Sequence, residues 1–413
     1  MVAGYDGPAL AAAASFGLTV LRLDVAEGAP AGSFTLRAEG TAGNARAVEA
    51  PKASDVALIL HTSGTTSRPK IVPLLQSNVA ASAVNVATSL ALTPQDRCMN
   101  VMPLFHIHGL VAAVSGTLAS GGSVWCAPGF DALRFFGWLS EAKPSWYTAV
   151  PTMHQTILAR AGRNADVIAA TPLRFLRSSS ASLPAQVMRA LAETFSAPVI
   201  EAYGMTEAAH QMTCNPLPPA AQKPGSVGKG AGPEVRVASE TENALLGASD
   251  TGEIVISGPN VTPGYESNPE ANEKNFFDAG GARWFRTGDQ GAFDADGYLH
   301  LTGRLKEIIN RGGEKISPLE VDGVLLDHPE IAQVVTFAVP HAKLGEEVAA
   351  AVVLIDGASA SAQDIRSFAA ERVADFKVPR HVVIMDEIPK GATGKMQRIG
   401  LAEKLGLGEG ASS

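Results

Sequence analysis

The stretch His61-Thr-Ser-Gly-Thr-Thr-Ser-Arg-Pro-Lys70 directly follows an apolar run at residues 56–60. A short apolar run is typical of a buried strand, so the ten residues form a loop at a strand end. Hydroxyl groups, backbone donors and two cations in one loop suit a polyphosphate, although a Ser/Thr/Gly-rich loop taken alone is more often a plain turn. A Walker P-loop needs a second glycine and a lysine in register with Gly64, and this stretch lacks them. The stretch therefore predicts a phosphate-binding loop outside the Walker class.

The segments around this loop alternate between short apolar runs and helix-like stretches, which predicts an α/β fold. The strands predicted up to residue 201 are 56–60, 101–103, 123–127, 146–150, 173–176 and 199–201. Two helices, 185–195 and 319–326, have clear start signals. A serine and a proline precede each helix, Ser182 before the first and Ser317 before the second, so each is predicted to have a hydroxyl cap.

The sequence changes at about residue 234 to β-rich pieces that are joined by Gly, Asn and Pro turns. The segment after Gly303 has its own alternation of strands and helices and is long enough for a small domain. We therefore predict a large N-terminal domain, residues 1–303, made of βα subdomains and a β-rich subdomain. A small α+β C-terminal domain would span residues 304–413.

Composition excludes several other classes of protein. The chain has 413 residues, more than a single core usually serves, and its formal net charge of −8 gives no general surface for nucleic acid. The apolar stretch 8–21 is too short to span a membrane and no basic residue precedes Arg22, so we expect a cytoplasmic protein without a membrane partner. Cys98, Cys126 and Cys214 lack metal-ligand spacing, so neither disulfides nor a zinc site is predicted.

Five further motifs follow the loop in order. They are Glu201-Ala-Tyr-Gly-Met-Thr-Glu207, Arg286-Thr-Gly-Asp289, Gly303-Arg-Leu-Lys-Glu307, Gly312-Gly-Glu-Lys315 and Pro389-Lys-Gly-Ala-Thr-Gly-Lys395. Together with the loop they resemble the signature of the acyl-adenylate-forming (AMP-binding) superfamily in its acyl-CoA synthetase branch. The strings around the loop and Glu207 look most like those of oxalate:CoA ligases. The resemblance covers nearly all of the chain from residue 55 onward and implies that superfamily's fold, with a mobile C-terminal domain.

This resemblance implies an ATP site. Tyr203 would offer an aromatic face to adenine, and Asp289 would accept hydrogen bonds from both ribose hydroxyls beside Arg304. Standing alone, an aspartate after a glycine would more often stabilise a turn. The residues implied in ATP binding are Thr62, Ser63, Gly64, Thr65, Thr66, Lys70, Tyr203, Gly204, Asp289 and Arg304.

The resemblance also implies a reaction. A carboxylate attacks the α-phosphate of Mg-ATP, pyrophosphate leaves, and a thiol then displaces AMP from the mixed anhydride. The implied catalytic residues are Thr206, Glu207 and Lys395. The Thr206 hydroxyl would contact phosphate and the hard carboxylate of Glu207 would bind Mg2+. The Lys395 cation would hold the substrate carboxylate and the α-phosphate while charge builds on both.

The C-terminal domain would turn between the two half-reactions about Lys306, to which we assign a gating role only. Gly312, Gly313 and Lys315 are expected near CoA. The implied substrates and cofactors are thus ATP, CoA, Mg2+ and a small carboxylic acid.

Four polar residues are expected at the acid pocket, namely His106, His108, Ser180 and His210. A fatty acid needs apolar surface, so this polar set favours a small acid, and an imidazole donor could pair with a second carboxylate. His106 and His108 have ordinary structural explanations, whereas His210 discriminates among acids. Oxalate is favoured, and malonate, an aromatic acid and a medium-chain fatty acid are the alternatives.

The phosphate loop begins only 60 residues into the chain, whereas members of the superfamily usually have a longer segment before it. We therefore expect an N-terminal segment to be missing, and residues 7–24 to be an interior helix and strand with an exposed apolar edge. Two other functions stay open: a truncated, inactive relative that still binds ATP, and an adenylating enzyme that serves a carrier-protein thiol. Joint retention of Glu207, Asp289, Arg304 and Lys395 argues against the inactive relative.

Overall fold

A computed structural model describes residues 2–3, 7–30, 32–39, 49–62, 70–390 and 396–408. Four predicted loop residues, Ser63, Gly64, Thr65 and Thr66, and the predicted catalytic Lys395 lie outside the described residues. The chain divides into two compact units, residues 1–51 and 52–413. The predicted domain boundary after residue 303 falls within the second unit and stays a prediction.

The first unit contains a three-stranded sheet and one helix. Its elements are β1 (Val2–Ala3), α1 (Pro8–Ser15), β2 (Val20–Asp24) and β3 (Thr35–Glu39). Strand β2 is central, parallel to β1 and antiparallel to β3. The predicted helix and strand within residues 7–24 are confirmed, but the expected exposed edge of this strand is not, because β2 is paired on both sides. Large apolar side chains next to these elements, such as Phe16 and Val25, are exposed.

The second unit opens with a β-hairpin and continues into a mostly parallel sheet. The hairpin strands and the helix after them are β4 (Val56–His61), β5 (Ile71–Leu75) and α2 (Gln76–Ser89). The sheet strands are β6 (Arg97–Asn100), β7 (Ser123–Cys126), β8 (Trp146–Ala149), β9 (Phe175–Ser179), β10 (Val199–Met205), β11 (His210–Cys214) and β12 (Lys229–Gly230).

The helices that accompany this sheet connect its strands. They are α3 (Gly116–Ala119), α4 (Phe135–Ala142), α5 (Pro151–Ala161), α6 (Ala165–Ala170) and α7 (Ala185–Phe195), with a π-helical segment at His108–Ser115 and short 3-10 turns at Gly162–Asn164 and Thr206–Ala208. The strand order is β12-β11-β10-β9-β8-β6-β7, and the strands from β10 to β7 are parallel. Side chains of the central strands, such as Trp146 and Phe175, are fully buried, as expected for a parallel sheet covered on both faces. Ligands of such sheets bind at the carboxyl ends of the strands, where β8, β9 and β10 place Thr148, Ser179 and Tyr203.

An antiparallel sheet follows, as the β-rich sequence pattern after residue 234 predicts. Its elements are β13 (Glu234–Ala238), β14 (Gly252–Ser257), α8 (Pro269–Asn275), β15 (Phe276–Ala279), β16 (Ala282–Phe293) and β17 (Leu299–Arg304). The order is β13-β14-β16-β15, and β17 pairs with the far end of β16. Strand β16 thereby carries Asp289 opposite Arg304.

A small α+β domain completes the chain. Its elements are β18 (Ile309–Arg311), β19 (Glu314–Ile316), α9 (Pro318–Leu326), β20 (Ile331–His341), β21 (Gly345–Leu354), α10 (Ala362–Ala370), a 3-10 turn at Asp375–Lys377, β22 (His381–Ile384) and α11 (Leu401–Lys404). The sheet order is β19-β18-β21-β20, and β22 lies parallel to β21. The predicted α/β class, with a large N-terminal and a small C-terminal domain, is confirmed. None of the helices that the structure describes is long and apolar enough to cross a membrane.

Two local predictions are wrong. The strand predicted at 101–103 is Arg97–Asn100, because the apolar side chains of Val101 and Met102 are buried just beyond the end of the paired segment. Ser182 does not cap α7, since Pro184 occupies the N-cap position in an extended conformation without a side-chain cap. Ser317 does cap α9, where its Oγ accepts a 3.1 Å hydrogen bond from the backbone N–H of Glu320.

Candidate active site

Asp289 is held between two donors at the junction of the two large sheets. The phenol of Tyr203, on β10, donates a hydrogen bond to Oδ2 of Asp289, and Nε of Arg304, on β17, lies 3.2 Å from Oδ1. Burial and the neighbouring Asp289 raise the pKa of Tyr203, and Asp289 also raises the pKa of Arg304. A carboxylate offers about four lone-pair sites, so two donors leave Asp289 with acceptor capacity for two more. This capacity matches a ribose diol.

Position 204 requires glycine, because the backbone of His210 on β11 passes very close to it. The pairing of β10 with β11 shifts register between Tyr203 and Gly204. A Cβ at position 204 would lie 1.8 Å from the carbonyl oxygen of His210, which no side chain can occupy. Glycine at this position therefore has a steric reason, and its expected contact with ATP stays a prediction.

Glu207 is buried and is held by a tyrosine that the sequence analysis did not identify. Glu207 belongs to the 3-10 turn that begins at Thr206. The phenol of Tyr265 donates a 2.7 Å hydrogen bond to Oε1 of Glu207. The ammonium of Lys70, at the start of β5, lies 4.3 Å from the centroid of the same aromatic ring.

The charges beside Glu207 suit a polyphosphate. Burial lowers the pKa of Lys70, Glu207 opposes that change, and Lys306 lowers the pKa further. The predicted hinge residue Lys306 is therefore close enough to Lys70 for the two cations to repel. Lys70 thus lies beside the Glu207 carboxylate and within the influence of further cations, so an anion and a divalent cation together would be favourable here.

The two ends of the predicted phosphate loop lie together. The backbone N–H of Lys70 donates to Oγ1 of Thr62 at 3.2 Å, and the N–H of Thr62 donates to the carbonyl of Lys70 at 3.1 Å. The hairpin of β4 and β5 thus brings the loop ends next to the ring of Tyr265.

The predicted CoA residues form a tight turn between β18 and β19. Gly312 and Gly313 have φ angles of 60° and 96°, in the left-handed region that a two-residue hairpin turn requires. The ammonium of Lys315 bonds to Glu240, whose other carboxylate oxygen accepts from Gln290. Burial alone would raise the pKa of Glu240, but the hydrogen bonds from Lys315 and Gln290 lower it. Contact of this turn with CoA stays a prediction.

Three of the four predicted pocket residues come together. Nδ1 of His108 lies 3.1 Å from Oγ of Ser180, and the rings of His108 and His210 are 5.4 Å apart. Ser180 and His210 have φ angles of 77° and 103°, a backbone strain that is common at functional sites. His106 accepts a 3.2 Å hydrogen bond from the backbone N–H of His108, so its ring also has a structural task.

Further polar side chains back this pocket and were not identified from the sequence. Nε2 of His108 lies 2.6 Å from Oγ1 of Thr148 and 3.4 Å from Nη1 of Arg177. Nη2 of Arg177 donates to Oε1 of Gln211 at 3.2 Å. The side chains of His108, Thr148, Arg177 and Gln211 are fully buried. The available signal was the arginine inside Phe175–Ser179, a strand of otherwise apolar or hydroxyl residues.

Comparisons with known proteins give matches over most of the chain. The AMP-binding enzyme family matches residues 10–266, and the AMP-binding enzyme C-terminal domain matches residues 320–395. Oxalate–CoA ligase of Arabidopsis thaliana is 50% identical over 347 residues, which are 83% of this chain and 66% of that protein. Oxalate–CoA ligase of Saccharomyces cerevisiae is 46% identical over 352 residues, which are 85% of this chain and 64% of that protein.

A similar solved structure is that of ATP-bound MatB from Rhodopseudomonas palustris, with a TM-score of 0.84 and 32% identity. The likeness covers 96% of this chain and 76% of MatB, so the fold that the motifs imply is confirmed. The chain spans just under two thirds of the length of the two oxalate–CoA ligases. The family match at residues 10–266 alone takes in more than half of the chain. The chain therefore belongs to the AMP-binding enzyme family.

Proposed function

We propose that this protein is an AMP-forming acid:CoA ligase that activates a small carboxylic acid, with oxalate as the favoured substrate. The observation that carries the proposal is the Asp289 carboxylate, held by Tyr203 and by Arg304, whose pKa the buried Glu207 also raises. Two similar proteins that are named oxalate–CoA ligases support the choice of acid. ATP, CoA and Mg2+ are the proposed co-substrates and cofactor.

The nucleoside end of ATP would bind at Asp289. The two donors that hold Asp289 fix the direction of its remaining lone pairs, so the ribose hydroxyls meet a preorganised acceptor. Nε of Arg304 holds the other carboxylate oxygen at 3.2 Å. This end of the site positions the nucleotide and takes no part in bond breaking.

The residues at the phosphate end fit Mg2+. Magnesium is usually held by one or two carboxylates together with substrate phosphates, and Glu207 supplies one hard carboxylate beside the cation of Lys70. Tyr265 engages one oxygen of Glu207, which leaves acceptor capacity on the other. When bound, Mg2+ would neutralise charge on the phosphates as pyrophosphate leaves.

Residues of both domains would act on the reacting groups. The acid carboxylate attacks the α-phosphate, and the predicted Lys395 would hold both groups as negative charge builds up. Thr206 would donate its hydroxyl to phosphate. A turn of the C-terminal domain about Lys306 would then bring the segment Gly312 to Lys315 towards the thiol of CoA. These roles, and a cytoplasmic location, stay predictions.

The pocket supports a small polar acid. His108 and Ser180 meet within hydrogen-bond distance, and the ring of His210 packs against that of His108. A long aliphatic chain in such a site would leave buried polar groups without water, which is unfavourable. Oxalate or another short acid would instead engage them.

The test is pyrophosphate release by the purified chain with Mg-ATP, CoA and one of five acids: oxalate, malonate, acetate, octanoate or 4-coumarate. Lys395→Ala is the control for the catalytic cation, and we expect a loss of about 100-fold or more in rate. Release that depends on oxalate and disappears in the control supports the proposal. Turnover of octanoate or 4-coumarate in preference to oxalate overturns the choice of acid. Absence of release with every acid, from folded protein that binds AMP, favours the inactive ATP-binding relative.

A further inference from the structure

Arg177 lies at the centre of the seven-stranded sheet with its charge completely enclosed. Its side chain is fully buried on β9. Nη1 points to Nε2 of His108 and Nη2 to the amide oxygen of Gln211. Among the residues that the structure describes, Nε of Arg177 has no hydrogen-bond partner and no Asp or Glu forms an ion pair with the guanidinium.

The neighbours of Arg177 do not neutralise it. Burial lowers the pKa of the guanidinium, and the opposing influences from the described part of the chain are the thiols of Cys214 and Cys98. Burial raises the pKa of Cys214 to about 11 and raises that of Cys98 further, so both thiols are neutral at ordinary pH. An arginine stays protonated even in such surroundings. As far as the structure describes the chain, the sheet therefore contains a positive charge without a permanent counter-charge, which is strongly unfavourable unless an anion arrives.

The hydrogen bonds of Arg177 determine which ring nitrogen of His108 carries the proton. A guanidinium has donors and no acceptor, so Nε2 of His108 must be the acceptor of the 3.4 Å contact. The hydroxyl of Thr148, at 2.6 Å, donates to the same nitrogen. The proton of the neutral imidazole then resides on Nδ1, which donates to Oγ of Ser180 at 3.1 Å. The hydroxyl proton of Ser180 is thereby left to donate to a ligand.

We propose that Arg177 is a positioning residue that, through His108 and Ser180, makes the acid pocket selective for the second carboxylate of a short dicarboxylic acid. This inference rests on the proposed function. The hydrogen bonds from Arg177 through His108 to Ser180 direct the Ser180 hydroxyl towards the ligand. The buried guanidinium also attracts a negative charge over a longer distance, because the dielectric constant of the protein interior is low.

The charge balance of the reaction explains why a dicarboxylate is the fitting ligand. The carboxylate that attacks ATP becomes part of a mixed anhydride, so a monocarboxylic acid retains no charge in its acyl part. A dicarboxylate retains one negative charge throughout, and that charge compensates Arg177. A hydrocarbon chain in the same place would leave the buried charge uncompensated.

The test compares oxalate with glycolate, which has a similar size and one carboxylate fewer. We expect Arg177→Met to lower the ratio of kcat/KM for oxalate to that for glycolate by about 10- to 100-fold, mainly through KM for oxalate. Arg177→Lys retains the charge without the planar fork and should recover part of the ratio. Arg174→Met is the matched control, because Arg174 precedes the same strand but forms an ion pair with Asp96. It should leave the ratio unchanged.

Thermal unfolding separates this role from a structural one. Replacement of an unpaired buried charge by an apolar side chain of similar volume is often neutral or stabilising, so Tm of Arg177→Met should not fall. Tm of Arg174→Met should fall, because the buried Asp96 loses its partner. A fall in Tm for Arg177→Met together with an unchanged acid ratio would overturn the proposal.

Equilibrium titration of oxalate into AMP-loaded protein separates this inference from the proposed function. If the wild type binds oxalate more tightly than glycolate, and Arg177→Met loses that preference, the inference holds even when no CoA ester forms. If the wild type turns over oxalate and Arg177→Met keeps the same preference, the inference fails and the proposed function stands. Wild-type protein that binds neither acid preferentially refutes the inference outright.

Discussion

The phenol of Tyr265 donates a 2.7 Å hydrogen bond to the carboxylate of Glu207 while its ring lies under the ammonium of Lys70. One side chain thus joins the start of β5 to the 3-10 turn at Thr206–Ala208. The backbone N–H of Tyr265 in turn donates to Asn272 at 2.7 Å, and the tyrosine is almost fully buried. The carboxylate and the cation that we assign to the phosphates of ATP are therefore held in a fixed relation before any ligand binds.

Tyr265→Phe should weaken the use of Mg2+ and leave the fold intact. Phenylalanine keeps the ring beneath Lys70 but removes the hydrogen bond that orients Glu207. Loss of a residue that orients a metal-binding carboxylate typically reduces metal affinity or activity about 10- to 100-fold. The measurement is the Mg2+ concentration at half-maximal pyrophosphate release, which should rise. Tyr298→Phe is the control, because the phenol of Tyr298 donates to the carbonyl of Ala221 instead. Equal Mg2+ requirements in both variants and the wild type would contradict the role of Tyr265.

Asp289→Asn should weaken nucleotide binding. The amide replaces one acceptor oxygen with an NH2 group, which would face the donor of Tyr203 or of Arg304. Hydrogen bonds to a charged group contribute about 1.5 to 3 kcal/mol each, so we expect affinity for AMP to fall about 10- to 100-fold. Calorimetric titration with AMP measures this change. Asp250→Asn is the control, since Asp250 accepts from Gly247 in an exposed turn. Unchanged AMP affinity in Asp289→Asn would remove the assignment of Asp289 to ribose.

Gly204→Ala should destabilise the site sterically. The new Cβ would lie 1.8 Å from the carbonyl oxygen of His210, so the backbone of β10 or β11 must move. Overpacking of this kind usually reduces stability by about 1 to 3 kcal/mol, and the shift of His210 should also impair turnover of the acid. Gly230→Ala on the adjacent β12 is the matched control, because the nearest atom to its Cβ would be 3.9 Å away. Identical values of Tm in the two variants would show that the close approach is not rigid.

Features that depend on local sequence were predictable, and those that depend on contacts between distant segments were not. Helix α7 begins and ends where its apolar pattern predicts, at residues 185–195, yet Pro184 rather than Ser182 occupies its cap. The order of the motifs indicated the family, and the resemblance implied the roles of Asp289 and Glu207. The role of Tyr265 could not be predicted from the sequence, because its partner Glu207 is 58 residues away.

Arg177 illustrates the same limit more sharply. The strand predicted at 173–176 ends before Arg177, whereas β9 spans Phe175–Ser179 and includes this arginine. Its explanation requires His108, which is 69 residues earlier and is brought near by β8 and the π-helical segment. With the observed bounds of β9, Arg177 is a charged residue in a buried central strand, and such exceptions to the hydrophobic pattern occur at functional sites.

Glu201 predicts a specific dependence of stability on pH. Burial raises the pKa of this carboxyl group from its ordinary 4.5 to about 8, although the backbone N–H of Leu183 donates to Oε1 at 2.8 Å and opposes that rise. Between those two pH values the folded protein retains a proton that the unfolded chain releases. The stabilising contribution of this proton is complete below pH 4.5 and is lost as pH rises through about 8, at up to about 1.4 kcal/mol per pH unit.

Glu201→Gln should therefore gain Tm relative to the wild type as the pH increases from 5.5 to 8, because the neutral amide does not have to retain a proton. The measurement is the difference in Tm between the two proteins across this range. Glu193→Gln, at an exposed position on α7, is the control and should show a constant difference. A constant difference for Glu201→Gln as well would mean that the carboxyl group ionises inside the folded protein as easily as in the unfolded chain. A further hydrogen-bond donor would then have to stabilise the ionised Glu201 carboxylate in its buried position beside β9.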